Sequence, residues 1–165
     1  MDWLVFAAQW LHVLLAILWF GNSLSLATVT IPALGRLPLV RQQEVGAVLG
    51  QRGLRVFDIV APAVILLGVV RGTVLGPITA VDALVGTAYG LTWLVALVVA
   101  TATFLWGRYV IVPATRVLAA APVNADGTPT AELNAALTRA KLVTVLELAG
   151  FLVVFTCMIL MRFGL

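Results

Sequence analysis

Four long apolar runs, roughly 3–31, 56–76, 81–107 and 141–161, dominate this chain. Each exceeds the ~20 residues that an α-helix needs to cross the hydrocarbon core of a bilayer. In lipid, every backbone N–H and C=O must find a partner within the protein, and a helix satisfies that demand segment by segment. The chain therefore predicts an all-α fold, a bundle of four transmembrane helices joined up-down-up-down, with residues 1–165 as one domain of an integral membrane protein. The composition agrees, at 62% hydrophobic and 10% charged with a mean hydropathy of +1.13. A soluble domain is about half apolar and a quarter charged.

The connections carry the charge. The first, about 33–54, holds Arg36, Arg41 and Arg52, with Arg55 just beyond it; the second, about 77–80, is very short; the third, about 113–138, contains Pro113, Asn124-Ala125-Asp126-Gly127 and Thr128-Pro129. Thr128 as N-cap with Pro129 at the first helical position predicts the start of a helix that runs into span four. The inner ends of spans one, three and four are expected to project past the bilayer. Eight of the ten basic residues border the first and third connections, and only Arg71 and Arg162 lie toward the other side. The positive-inside rule then puts those two connections in the cytoplasm and both termini outside, in a bacterial cytoplasmic membrane. The N-terminus reads as a span and not as a signal peptide, because it lacks a basic leader and its apolar run is too long. The net charge of +3 is no nucleic-acid signal, since the cations flank spans instead of forming a patch. No P-loop, GxGxxG, HExxH or paired CxxC is present, and the single Cys157 excludes an internal disulfide. No internal repeat or low-complexity segment is apparent.

Helical phase assigns the faces. With His12 at zero and 100° per residue, Val5, Ala8, Gln9, Leu15, Ala16, Trp19, Ser23 and Ala27 share its side, while Trp3, Trp10, Leu14, Ile17 and Leu18 lie opposite. Small and polar residues mark helix contacts in membranes, so the His12 face is predicted to point inward. Span three carries a stripe of Asp82, Tyr89, Thr92, Trp93, Ala96, Ala100, Thr103 and Gly107. Span four carries Ala140, Val143, Glu147, Gly150, Phe151, Val154, Met158 and Met161. In span two, Gly68, Gly72 and Gly76 recur every fourth residue and are expected to let another backbone approach. Pro62 is expected to kink span two and free a carbonyl near Asp58.

His12, the only histidine, is the main candidate for chemistry. An ionisable side chain at that depth costs about 2.5 kcal/mol or more, so it faces the bundle interior and needs a partner. Either it hydrogen-bonds to Tyr89, Asp82 or a backbone carbonyl, or it ligates a metal or haem iron. His12, Met158 and Met161 fall at depths that differ by only roughly 4–6 Å, a soft set suited to Cu(I), and Met with His is also an axial pair for haem. Plain apolar packing is the alternative for both methionines and for Cys157. Glu147 is either a proton or cation relay or a carboxylate paired with Arg55, Arg108 or Lys141. Arg71 is expected to snorkel to the headgroups and pair with Asp82.

The stretch Trp10-Leu11-His12, Trp19-Phe20-Gly21 and Val29-Thr30-Ile31-Pro32-Ala33-Leu34 resembles the first helix of the copper-resistance D (CopD) domain and related small membrane families. Its His-to-Trp spacing is also that of the HemJ-type protoporphyrinogen oxidases, which bind haem b. The resemblance is confined to the first span, and Asn22 stands where the pattern has a second glycine. It implies His12 as metal or haem ligand, with Trp19 as its companion.

Three functions remain open on this basis. One is a haem b protein with a redox or tetrapyrrole-linked role, its cofactor held at His12 and framed by Ala16, Trp19, Tyr89 and Trp93. A second is a copper carrier using His12, Met158 and Met161. The third is a non-catalytic accessory subunit, without cofactor, in a homo-oligomer or larger membrane complex. No catalytic residue is assigned.

Overall fold

In the computed structural model, which describes residues 2–165, four long helices and one short one account for most of the chain. Helix α1 runs Trp3–Leu34, α2 Leu39–Gly72, α3 Val81–Val85, α4 Ala88–Ala120 and α5 Ala131–Arg162. The four long ones are each long and apolar enough to cross a membrane. Asp2 caps α1 through Leu4 N–H at 3.0 Å, and Thr87 caps α4 through Gly90 N–H at 3.0 Å, each satisfying a donor that the first turn leaves free.

Contacts fix the order of the bundle. Position 12 meets 64 and 68, whereas 19 meets 57; 72 meets 93, whereas 57 meets 104; 103 meets 150, whereas 106 meets 143. As one number rises its partner falls, so each long helix is antiparallel to the next and the bundle is up-down-up-down. The core lies at mid-height, where Trp19, Val60, Ala61, Val64 and Phe151 are buried against Leu15, Phe20, Phe57 and Phe104. The faces follow the phase. Trp19 and Ser23 of α1 are buried, whereas Trp3, Trp10, Leu14, Ile17 and Leu18 are exposed.

Several boundaries differ from expectation. Helix α2 starts at Leu39, not near 56, so the first connection is mostly helix and the second helix also extends beyond its apolar run. Pro38 ends the turn and supplies an extended residue at the helix start. Gly46, Gly50 and Gly53 do not break the helix, having open space around them. Gln43 ties this extension to the end of α4 by donating to the Ala121 carbonyl at 2.8 Å. The second connection is longer than expected, because α2 stops at Gly72 and the α3 turn precedes α4.

The start of α5 also moves. Thr128 is not the cap: inside the turn its hydroxyl oxygen accepts from Asn124 Nδ2 at 3.0 Å and its O–H donates to Asp126 Oδ1 at 2.6 Å, and Pro129 bridges Val123. Thr130 takes over, accepting from Leu133 N–H at 3.2 Å. These bonds from Thr128 hold the Asp126 carboxyl below the usual carboxylate range. Gly127 completes the turn at φ 80°, a conformation that costs an L-residue about 1–2 kcal/mol. Gly127→Val is therefore expected to lower the unfolding free energy in detergent by about that amount, with Gly46→Ala as an unstrained control.

Helices α1 and α4 share a local recurrence that hydropathy does not reveal. Each contains a five-residue π stretch, Leu26–Thr30 and Gly107–Ile111, followed at once by Ile31-Pro32-Ala33 and Val112-Pro113-Ala114. Proline lacks an N–H and its ring collides with the carbonyl four residues back. The wider turn instead lets Ile31 and Val112 bond to the fifth carbonyl back, Leu26 and Gly107. The spacing from His12 to Pro32 equals that from Trp93 to Pro113.

Candidate functional site

A cavity of about 620 Å³ opens between the four long helices, in the half of the bundle nearer the termini. Sites for small organic ligands fall in the range of about 300–1,000 Å³. Helix α1 contributes Gln9, His12, Ala16 and Trp19; α2 contributes Val64, Gly68 and Arg71; α4 contributes Tyr89, Trp93, Ala96 and Thr103; α5 contributes Phe151, Met158, Met161 and Arg162. An aromatic layer forms its floor. Trp19 meets Phe151 edge-on at 4.9 Å between centroids and Phe57 at 6.0 Å, and Phe57 stacks on Phe104 at 5.4 Å. Such pairs add about 0.5–1.5 kcal/mol each beyond burial, which makes the floor stiff.

His12 is held by one bond. Its Nδ1 lies 3.0 Å from the backbone oxygen of Val64. A carbonyl only accepts, so Nδ1 carries the proton and Nε2 keeps its lone pair. Of the three partners expected from the sequence, the backbone carbonyl is the one used; neither Tyr89 nor Asp82 bonds to it. Nε2 has no hydrogen-bond partner among the described residues. Metal-ligating histidines are oriented in this way, one ring nitrogen donating to a carbonyl and the other facing the ion.

The glycine ladder acts differently from expectation. Gly68 and Gly72 admit rings, not a second backbone. A Cβ on Gly68 would come within 3.2 Å of His12 Cε1, and one on Gly72 would collide with the Trp93 indole. Gly76 lies past the helix end and faces its own chain. Trp93 Nε1 donates to the Gly68 carbonyl at 3.3 Å. His12 and Trp93 thus bond to α2 carbonyls one helical turn apart, and those carbonyls accept as second partners without breaking the helix.

His12, Ala16, Trp19, Tyr89, Trp93, Met158 and Met161 all line this one cavity. Cys157 is buried and does not. Among the described residues no three His, Cys, Asp or Glu side chains cluster as a metal site, so any soft-metal set here would consist of His12 and the two thioethers.

Glu147 stands apart. It is 8% exposed and lies on the far side of the aromatic layer, beside Ser23 and Gly107. The expected pairing with Arg55, Arg108 or Lys141 is not formed; Arg108 Nε instead lies 3.9 Å from Asp58. Because α5 begins at Ala131, Glu147 is mid-helix. Trp106 donates to the Val143 carbonyl one turn away at 3.0 Å, closing that side of the bundle.

Arg71 also departs from expectation. It does not pair with Asp82, which is exposed. Its Nη1 donates to Leu75 O at 2.9 Å, its Nε is buried without an acceptor, and its side chain lines the cavity together with Arg162. Trp19 Nε1 is a second buried donor without an acceptor. Helical phase, taken one helix at a time, does not show that Arg71 and Arg162 line one cavity, since they belong to different helices. The available signal was charge economy, these being the two cations on the side that the positive-inside rule leaves poor in them.

Comparison with protein-family models, with curated proteins and with solved structures finds no match.

Proposed function

We propose that this protein is a haem b-binding membrane protein, His12 being the protein ligand and the role redox or tetrapyrrole-linked. The observation that carries this is the His12–Val64 bond, which fixes the Nδ1–H tautomer and leaves Nε2 free in a cavity of macrocycle size. When bound, haem supplies one-electron chemistry at its iron. The residues of this chain do the rest. The Val64 carbonyl aims the imidazole and raises its basicity. Ala16 and Ala96 would leave room for a macrocycle, and Gly68 leaves room for the His12 ring. The Trp19–Phe151 layer keeps water from entering through the floor, and Met158 and Met161 offer a thioether on the opposite helix. By the positive-inside rule the termini and the cavity mouth face outward, and the exposed apolar flanks lie against lipid.

Copper handling is the alternative, favoured by the placement of His12, Met158 and Met161 on one cavity wall system. An accessory subunit, without cofactor and seated in a larger complex or homo-oligomer, is the third.

The test is an optical spectrum, oxidised and dithionite-reduced, of protein purified in mild detergent from haem-replete cells. A Soret band that sharpens and shifts on reduction is expected. Ala16→Leu is expected to abolish that band with helical circular dichroism unchanged; full pigment in that variant would put the haem elsewhere. A featureless spectrum would remove haem, after which metal analysis with Met158→Leu and Met161→Leu decides between copper and the accessory role.

A further inference from the structure

The cavity has a polar mouth that its apolar floor does not explain. Arg71 and Arg162 both line it, from α2 and α5, with Gln9 and Tyr89 beside them. Among the described residues the ion pairs are Arg41–Glu44 and Arg108–Asp58, so neither mouth arginine has a carboxylate. A guanidinium carries five donors. Arg71 uses one, on Leu75 O, and its Nε is buried with no acceptor. Arg71 is half-buried at the end of α2 with its Nε enclosed, and Arg162 is exposed at the end of α5; an enclosed donor without an acceptor is costly. The one bond of Arg71, to Leu75 O beyond the helix end, leaves the other donors of the guanidinium for a ligand at the cavity.

We infer that the mouth binds the acid groups of an amphipathic ligand through Arg71 and Arg162, the apolar body of the ligand lying on the aromatic floor. The required ligand is a rigid or extended apolar molecule with one or two carboxylates or a phosphate at one end. Haem, with two carboxylates on one edge, belongs to this class, so the inference deepens the proposed function and in that form rests on it. The arginine contacts themselves need no iron, which separates the two experimentally.

The probe is metal-free protoporphyrin IX compared with its dimethyl ester, the same macrocycle without charge. Both are titrated into the full chain in phosphatidylcholine nanodiscs, with quenching of tryptophan fluorescence as the readout, since Trp19 and Trp93 line the cavity. Charge-assisted hydrogen bonds are expected to favour the diacid by about tenfold per arginine. Arg162→Gln, at the exposed helix end, should lose about one such factor, and Arg71→Gln with Arg162→Gln should lose the preference altogether. Retained binding of the ester reports that each variant is folded, and His12→Ala should keep the diacid preference intact. Equal affinity of the wild-type chain for diacid and ester, or a preference that survives the double substitution, overturns the inference. So does complete loss of the preference on adding phosphatidylglycerol to the nanodisc, which would assign the arginines to a lipid headgroup. A missing Soret band with an intact diacid preference would sink the haem proposal alone.

Discussion

His12→Ala is expected to abolish the Soret band of the purified protein while leaving the bundle folded. The imidazole makes one hydrogen bond, to Val64 O at 3.0 Å, and a bond of that kind contributes about 0.5–1.5 kcal/mol net. Val64 O keeps its helical partner when the imidazole leaves, so no buried carbonyl is orphaned. The loss of cofactor, in contrast, should be complete, because the described residues place no other imidazole in the bundle. The spectrum and the unfolding midpoint are therefore expected to separate. His12→Leu refines the test. If His12 only sets helix register, leucine removes a desolvated polar group and is tolerated or stabilising. In a ligand role, leucine fills the site and leaves colourless, well-folded protein. Pigment that persists in both variants would exclude His12 as ligand.

The second large effect is expected at Gly72. A methyl group there would lie 2.9 Å from Trp93 Cδ1 and closer still to the indole nitrogen. The indole is 9% exposed, and the cavity it lines is the side to which it can yield. Gly72→Ala must push it off α2, breaking its bond to Gly68 O and overpacking the wall of the cavity. Overpacking costs about 1–3 kcal/mol, and the lost bond adds roughly 1. The measurement is chemical unfolding in detergent, with Gly46→Ala alongside. Gly46 has no neighbour within 4 Å, so alanine there should gain up to about 1 kcal/mol of helix propensity. Equal stability of the two variants would mean that the Trp93–Gly72 contact is not tight in the membrane. Gly68→Ala should fall between them, as its methyl would touch His12 Cε1 at 3.2 Å, and it should also weaken any pigment.

Much of the arrangement was legible one helix at a time. Phase placed Trp19, Ser23, Trp93, Ala96, Ala100, Thr103, Val143, Glu147 and Phe151 inward, and all are buried, whereas Gln9 and Asp82 of the same stripes, toward the helix ends, are exposed. The same rule put Trp3 and Trp10 on the lipid side, where they are 72% and 58% exposed. Boundaries were less legible, because hydropathy reports where lipid would be, whereas helix ends depend on backbone hydrogen bonding. Helix α2 continues through a charged, glycine-bearing stretch because nothing between Pro38 and Gly72 removes more than one N–H. The cap of α5 fell one threonine later than expected because the Asn124 amide already occupies the Thr128 hydroxyl oxygen within the turn. The fates of Arg71 and Glu147 depended on neighbours from other helices, which phase does not identify.

By itself, the sequence determined the class of fold, the number of long apolar helices and the inward face of each, since these follow from length, hydropathy and a fixed 100° per residue. The tertiary structure decided which inward residues meet. It set His12 on Val64 O and Trp93 on Gly68 O, and it gathered the two cations of one side at the mouth of one cavity. It also left Glu147 beyond the aromatic layer, with no ion pair among the described residues. The physical reason is that helix register and rotation are set by packing between helices, here by rings fitting against glycines, and that fit exists only when the bundle has formed.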